Sequence, residues 1–273
     1  MERLQTALNK ARTQRSRSEK TVAPTPHTPP ETPHVAEAAW LELPEIQLNP
    51  RYLHRKRILA LQGGPAAAPF DILRTRVTLL AQSNGWRRIA VVSPHSATGK
   101  STMVANLAFG LGRKRGIRSV VIDADMRRSG LGKLLGQKGH IPMSDVLEGS
   151  VAFSDVALRY RANLIFGLGY GASRSPSEIL QSERAKEVLK GIETTYMPDF
   201  MIFDMPPLSA GDDTLGFLSQ VDAALIVVEA GSTGAKQFDI AERQVAEQTN
   251  VMGVVLNKCR FLSRAWGQED AYY

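Results

Sequence analysis

The chain has 273 residues, of which 43% are hydrophobic and 22% are charged, and its formal net charge at pH 7 is +7. This composition is typical of a soluble globular protein and is sufficient for one large domain or two small ones. The single cysteine, Cys259, excludes a disulfide framework or a thiolate metal cluster built within this chain. The polar N-terminus predicts no signal peptide, and no apolar run approaches the roughly 18 residues of a membrane span. We therefore expect a cytoplasmic protein.

The first 60 residues differ in composition from the rest of the chain. They carry 10 Lys or Arg against 6 Asp or Glu, and seven of the 15 prolines lie between positions 21 and 50. Residues 1–20 predict a short basic segment, either an amphipathic helix for a partner or membrane surface or a frayed helix with no role of its own. Residues 21–60 predict a proline-rich disordered linker. The modest charge of the remainder argues against a nucleic-acid groove.

Helical and strand patterns alternate in the main body, residues 65–262. The spacing of apolar residues predicts helices over 69–83, 101–114, 130–136, 143–149, 175–196 and 235–248. Apolar runs predict strands over 87–93, 119–125, 162–169, 199–207, 223–231 and 251–259. This alternation indicates an α/β fold in which a parallel sheet of about six or more strands is covered by helices on both faces. Ligands bind beyond the carboxyl ends of the strands in such sheets.

A glycine-containing loop follows the first predicted strand and precedes a helix. Gly99 permits close approach of the backbone to phosphate, Lys100 supplies positive charge, and the hydroxyl of Ser101 can bind Mg²⁺. Pro94 stands where the strict phosphate-loop pattern has glycine, and the alternative is a solvated Gly-Lys turn. We expect a bound nucleotide with Mg²⁺. The predicted nucleotide-binding residues of the loop are Ser96, Ala97, Thr98, Gly99, Lys100, Ser101 and Thr102.

Acidic residues end two of the apolar strands. Asp123 and Asp125 close the second predicted strand, and Asp204 closes the fourth. A carboxylate after an apolar run is costly unless it meets a cation, so these groups predict a Mg²⁺ site or contact with a substrate hydroxyl. The alternative for each is a cap of the following turn. Asn257 ends the last strand, where its amide is predicted either to contact the nucleotide base or to serve as a turn residue.

Several segments together resemble the bacterial tyrosine kinases of exopolysaccharide synthesis, the CpsD/CapB-like autokinases related to the MinD/ParA ATPases. The resemblance covers about residues 69–260. The segments that carry it are IAVVSPHSATGKSTMVANLA, VVIDADMRRSGLGKLLG, MSDVLEGS, SPSEILQSER, DFMIFDMPPLSAGDD and GVVLNK. The main departures are Ala97, where the family usually has glycine, and Ala68 and Asp71 in the helix that resembles the ring-forming helix of the family. Arg74 in that helix matches.

This resemblance implies roles for the strand-end carboxylates and for the C-terminal tail. Residues 99–102 correspond to the first Walker motif, Asp123 and Asp125 to a second aspartate motif with Arg127 beside it, and Asp204 to Walker B. ATP with Mg²⁺ is the implied cofactor. Lys100, Asp123, Asp125 and Asp204 are then the catalytic residues, and Ser101, Asp123 and Asp204 hold the metal. The tail, residues 263–273, ends in Tyr272 and Tyr273, which are the implied phosphate acceptors or, alternatively, an ordinary frayed tail.

The resemblance also implies a cellular setting. The expected partner is a transmembrane chain-length determinant (Wzz-type) protein, which would hold the kinase at the inner face of the plasma membrane. A homo-oligomer or dimer is expected, and no nucleic acid. Two other functions stay open: a nucleotide-dependent switch or pseudo-kinase that transfers no phosphate to protein, and a ParA-like ATPase acting on a cargo or on DNA. Salt-sensitive DNA binding would distinguish the last.

Overall fold

The computed structural model describes residues 33–259, and the predictions for residues 1–20, 21–32 and 263–273 lie outside this range. Ten α-helices and seven strands occur within residues 33–259. The helices are α1 Pro33–Glu42, α2 Pro50–Arg55, α3 Ala68–Asn84, α4 Lys100–Gly112, α5 Gly130–Leu134, α6 Met143–Leu147, α7 Pro176–Gln181, α8 Glu183–Tyr196, α9 Asp213–Leu218 and α10 Ala235–Ala246. The strands are β1 Arg88–Val92, β2 Ser119–Asp123, β3 Ala157–Tyr160, β4 Leu164–Gly167, β5 Phe200–Asp204, β6 Ala223–Glu229 and β7 Asn250–Asn257.

The seven strands form one sheet in the order β3-β4-β2-β5-β1-β6-β7. All neighbouring strands are parallel except β3, which runs antiparallel to β4 at one edge. The central strands are buried along almost their whole length, which explains their uninterrupted apolar sequences. The prediction of a largely parallel α/β sheet is confirmed, and β3 is the strand that the sequence analysis missed.

Each face of the sheet packs against its own group of helices. One apolar core contains residues of α1 and of α6 to α10, and the other contains residues of α2 to α5. Helix α4 is buried along most of its length because it lies between the sheet and α3. The prediction of helices on both faces is therefore confirmed, and the buried position of α4 holds the preceding loop at the carboxyl edge of the sheet.

The prediction of a disordered linker over residues 21–60 is wrong for residues 33–60. Trp40 is 1% exposed, and its indole Nε1 donates a hydrogen bond of 2.7 Å to the backbone oxygen of Tyr196. Leu53 is fully buried in the opposite core. Apolar residues between the prolines thus pack into the cores on both faces of the sheet. The burial of their apolar surface compensates for the conformational entropy lost when this segment is ordered.

The helix predicted over 175–196 is broken at Ser182. This residue has φ −70° and ψ 148°, an extended conformation that no helix continues through. Its hydroxyl accepts a hydrogen bond of 3.1 Å from the backbone N–H of Ala185 and so caps α8. The sequence is helical in pattern on both sides of Ser182, so the pattern predicts one helix. The cap formed by Ser182 divides it into α7 and α8.

Candidate functional site

The loop between β1 and α4 has a backbone that only certain residues adopt readily. Gly99, at the start of α4, has φ 88°, in the left-handed region that favours glycine. A side chain on Gly99 would also collide with the amide of Asn257. Ala97 has φ 65°, so the position where glycine is the expected residue keeps the left-handed conformation with an alanine in it. The loop therefore retains its shape at some cost in backbone strain.

The end of β7 holds this loop from one side. The amide nitrogen of Asn257 donates to the backbone oxygen of Thr98 at 2.8 Å, and Lys258 Nζ donates to the oxygen of Ala97 at 2.6 Å. Lys258 also pairs with Glu229 at 3.0 Å. The structure thus gives Asn257 a contact that stabilises the loop, and its contact with a nucleotide base stays a prediction. Lys258 is a residue whose part in the site the sequence analysis missed.

Lys100, Asp123 and Asp204 meet at the carboxyl edge of the sheet. Asp123 on β2 and Asp204 on β5 are register partners in neighbouring strands, and Lys100 pairs with Asp204. Asp123 Oδ2 accepts a hydrogen bond of 3.0 Å from the backbone N–H of Leu131. The second oxygens, Asp123 Oδ1 and Asp204 Oδ2, are buried and have no hydrogen-bond partner among residues 33–259. Lys100 therefore pairs with one of the two carboxylates, Asp204, and its charge also acts on Asp123.

Burial and neighbouring charges raise the pKa of two aspartates at this edge, Asp123 and Asp125. Burial raises the pKa of Asp123 well above its ordinary value, and the nearby charge of Asp204 raises it further. Burial also raises the pKa of Asp125, although Lys100 opposes the shift. Asp123, with its raised pKa and an unpartnered oxygen, is expected to bind a cation together with the unpartnered oxygen of Asp204, because a cation compensates the cost of a buried negative charge. The donor set therefore fits Mg²⁺.

A cavity of about 410 Å³ opens beside the loop. Every predicted nucleotide-binding residue from Ser96 to Thr102 lines it, as does Asp125. Arg128 and Lys258 add positive charge to its wall. Asp123 and Asp204 are buried and are not among the lining residues, but Asp204 contacts Lys100, which is. The residues predicted from the loop thus lie together on one side of the cavity, and their binding of a nucleotide stays a prediction. Arg128, in the same wall, was not predicted from the sequence.

That neighbouring arginine, Arg127, is engaged elsewhere. Its Nε and Nη2 contact the two carboxylate oxygens of Asp213 at 2.5 and 3.0 Å, and Asp213 is 1% exposed. This pairing raises the pKa of Arg127. Asp213, which opens α9, is therefore the partner of an arginine rather than part of the cavity wall. The predicted acceptors Tyr272 and Tyr273 lie beyond the described residues.

Comparison with known proteins places this geometry in a family. A family model described as ParA, NUBPL iron-transfer P-loop NTPase, matches residues 86–273. The chain belongs to this ParA family of P-loop NTPases. The match covers the loop between β1 and α4, all the strand-end carboxylates and all seven described strands of the sheet.

Individual relatives of this ParA-family chain carry the names of tyrosine kinases. The putative tyrosine-protein kinase AmsA of Erwinia amylovora is 29% identical over 77% of this chain, which spans only 29% of that relative. The tyrosine-protein kinase CpsD of Streptococcus agalactiae is 24% identical, with 74% of this chain and 88% of the relative covered. The predicted resemblance to CpsD/CapB-like kinases is thereby confirmed.

Solved structures share the fold. The kinase domain of the Escherichia coli tyrosine kinase ETK superposes with a TM-score of 0.67 at 21% identity, over 77% of this chain and 84% of that one. The septum site-determining protein MinD of Pyrococcus horikoshii, complexed with Mg-ADP, gives 0.52 at 22% identity, over 65% and 72%. Among the helices described for residues 33–259, none has the length and apolar character needed to cross a membrane.

Proposed function

We propose that this protein is an ATP-dependent protein-tyrosine kinase that phosphorylates Tyr272 and Tyr273 in its own C-terminal tail. The observation that carries the proposal is the arrangement of Lys100 with Asp123 and Asp204 behind a phosphate-binding loop, with Asp125 in the cavity wall. The names of the relatives support kinase activity over nucleotide hydrolysis alone. Asp125 in the cavity wall is placed where it could accept the proton of a hydroxyl substrate.

Residues of the loop would hold the nucleotide. Residues 96–99 and the start of α4 line the cavity, so their backbone N–H groups would bind phosphate oxygens there, and Lys100 would neutralise phosphate charge. Ser101, Asp123 and Asp204 would hold Mg²⁺, which offsets negative charge on the phosphates when bound. The two unpartnered carboxylate oxygens are the specific feature that this metal would satisfy.

Asp125 is the candidate proton acceptor of the tyrosine hydroxyl. It lines the cavity, and its raised pKa makes it a better base toward a phenol than an exposed aspartate. Arg127, fixed on Asp213, holds the turn that follows Asp125, whose Oδ1 accepts from the backbone N–H of Arg128 at 3.1 Å. The chain's own contribution to phosphoryl transfer is then positioning and electrostatic stabilisation.

The wider setting of the proposal follows the resemblance. The proposed partner is a transmembrane chain-length determinant (Wzz-type) protein. This partner would recruit the kinase to the inner face of the plasma membrane. The regulated process would be exopolysaccharide polymerisation or export. Transfer between neighbouring subunits requires a homo-oligomer or dimer. Within the chain, Arg74 of α3 contacts Asp71 at 3.2 Å, so this arginine would have to exchange partners in a ring built through α3.

Incubation of the full chain with γ-labelled ATP and Mg²⁺ tests the proposal. We expect label on the protein, and we expect its loss in Lys100→Ala and in the double variant Tyr272→Phe/Tyr273→Phe. Tyr160→Phe, which removes a tyrosine hydroxyl within the folded body, should retain the label. Phosphate release that depends on Lys100, without labelled protein, would contradict the kinase and support an ATPase switch. Equal labelling of wild type and the double tyrosine variant would refute the tail as acceptor.

A further inference from the structure

A second cavity lies at the opposite end of the sheet from the phosphate-binding loop. It has a volume of about 840 Å³ and is bounded by the segments that lead into β2, β4 and β5. We call it the arginine cavity because of the four arginines in its wall, Arg113, Arg115, Arg118 and Arg161. Asp199 is the only carboxylate among its lining residues. No part of the proposed kinase reaction uses this end of the sheet.

The positive charges of the arginine cavity are mostly unbalanced. Arg113 pairs with Asp71, but Arg115, Arg118 and Arg161 take part in no ion pair within residues 33–259. The carboxylate of Asp199 accepts a hydrogen bond of 2.8 Å from the backbone N–H of Arg118. Three guanidinium groups thus share one cavity with a single carboxylate that forms no ion pair with them among residues 33–259, and their mutual repulsion favours binding of an anion.

Aromatic rings hold two of these arginines in place. The guanidinium carbon of Arg118 lies 5.7 Å from the ring centre of Trp40, and that of Arg161 lies 5.1 Å from the ring centre of Tyr160. Stacking on a ring leaves the N–H groups at the edge of the guanidinium free for an anion. In the same wall, Arg113 Nε is buried and has no hydrogen-bond partner among the described residues. Donors are therefore present before any ligand arrives.

We propose that the arginine cavity binds a phosphate-bearing anion with two or more negative charges. A guanidinium group can donate two parallel hydrogen bonds to the oxygens of one phosphate group. Three guanidinium groups without an ion-pair partner among residues 33–259 carry more positive charge than one singly charged anion would neutralise. The volume accommodates a diphosphate group or a larger phosphate ester. A soluble phosphate compound and the headgroup of an anionic lipid present this same chemistry, and the experiment separates them.

Titration calorimetry with pyrophosphate and sedimentation with vesicles test this inference. Both are run on the full chain carrying Lys100→Ala, which weakens phosphate binding at the loop, with and without Arg115→Ala/Arg161→Ala. The vesicles contain phosphatidylcholine alone or with phosphatidylglycerol. We expect the double substitution to weaken binding at least about tenfold, since each charge-assisted hydrogen bond is worth that much or more. Pyrophosphate binding identifies a soluble ligand, and binding only to phosphatidylglycerol vesicles identifies a lipid.

Two further variants decide between a specific site and general charge. Arg243→Ala removes an exposed arginine from α10, which packs on strands at the other side of the sheet. It should leave binding unchanged. Arg161→Lys keeps the positive charge but loses the paired N–H donors of the guanidinium, so its affinity for the probe should lie between those of the parent and the double variant. The inference is overturned if the double variant binds both probes as tightly as its parent, or if Arg243→Ala weakens binding equally. Unchanged melting temperatures show that the variants are folded.

Discussion

Asp123 and Asp204 stand side by side at the carboxyl ends of two neighbouring parallel strands, and each keeps one buried oxygen without a partner among the described residues. A single lysine, Lys100, supplies the nearby positive charge. Such a pair is unfavourable for the folded state by itself and becomes favourable when a cation binds. We therefore expect the carboxylate pair to lower the free energy of unfolding of the metal-free protein and to give the protein affinity for a cation.

Asp123→Asn should stabilise the protein without Mg²⁺ at neutral pH, by about 1 kcal/mol. The amide keeps an oxygen for the N–H of Leu131 and removes the charge facing Asp204. Because folding raises the pKa of Asp123, the folded state binds its proton more tightly than the unfolded chain, so wild type loses stability as the pH rises above about 4. Urea unfolding from pH 4 to pH 8 should show the advantage of the variant growing with pH.

Mg²⁺ should reverse this order. Wild type gains stability with added Mg²⁺, whereas Asp123→Asn gains little, because the variant lacks one of the proposed ligands. Asp239→Asn, at an exposed position of α10, serves as the control and should show neither effect. A wild-type protein that is equally stable with and without Mg²⁺ and nucleotide would contradict the metal site.

Ala97→Gly should relax the phosphate-binding loop. Alanine at φ 65° carries a cost that glycine does not, and the gain in stability should be about 1 kcal/mol, reduced by the greater freedom of glycine in the unfolded chain. Thermal unfolding measures it. Ala172→Gly, in an exposed loop with ordinary backbone angles, should destabilise instead. If both variants are destabilised alike, the left-handed conformation of Ala97 is wrong.

Asn106 joins the N-terminal segment to the helix that follows the loop. Its side-chain oxygen accepts from the N–H groups of Leu59 and Ala60 at 2.8 and 2.9 Å, and its nitrogen donates to the oxygen of Arg57 at 2.9 Å. Asn106→Ala leaves these buried groups unpaired and should destabilise the protein by about 2–4 kcal/mol. Hydrogen exchange should show lost protection at residues 58–60.

A matched substitution separates this effect from helix propensity. Asn84→Ala changes an exposed asparagine at the end of α3 and should alter stability by less than about 1 kcal/mol. The linking role of Asn106 would be refuted by an Asn106→Ala variant in which residues 58–60 exchange as slowly as in wild type.

Arg127 and Asp213 should be strongly coupled. Arg127→Ala leaves a buried carboxylate without its arginine and should cost about 2 kcal/mol, even though the arginine itself is partly exposed. Adding Asp213→Asn should recover much of that loss, because the uncompensated charge is gone. A double-mutant cycle from urea unfolding measures the coupling. Additive losses would show that the two side chains act independently.

Local sequence patterns were sufficient to predict the alternation of helices and strands, the phosphate-binding loop and the carboxylates at strand ends. These features depend on local pattern: apolar runs predict buried strands, and the parallel arrangement then brings their carboxyl ends to one edge. Loop residues 96–102 and Asp125 therefore line one cavity, as expected. The order of strands is not a local property, so the pairing of Asp123 with Asp204 could be anticipated only through family resemblance.

The tertiary structure alone decided the contacts between segments distant in sequence. Asn257 and Lys258 reach the loop because β7 ends beside it. Trp40 is buried because it packs into one apolar core and its indole donates a hydrogen bond to the backbone oxygen of Tyr196. The proline content of residues 33–60 predicts disorder only as long as the apolar residues between the prolines have nothing to pack against. The arginine cavity has the same origin, since its charges come from three separate segments that meet only when the sheet is complete.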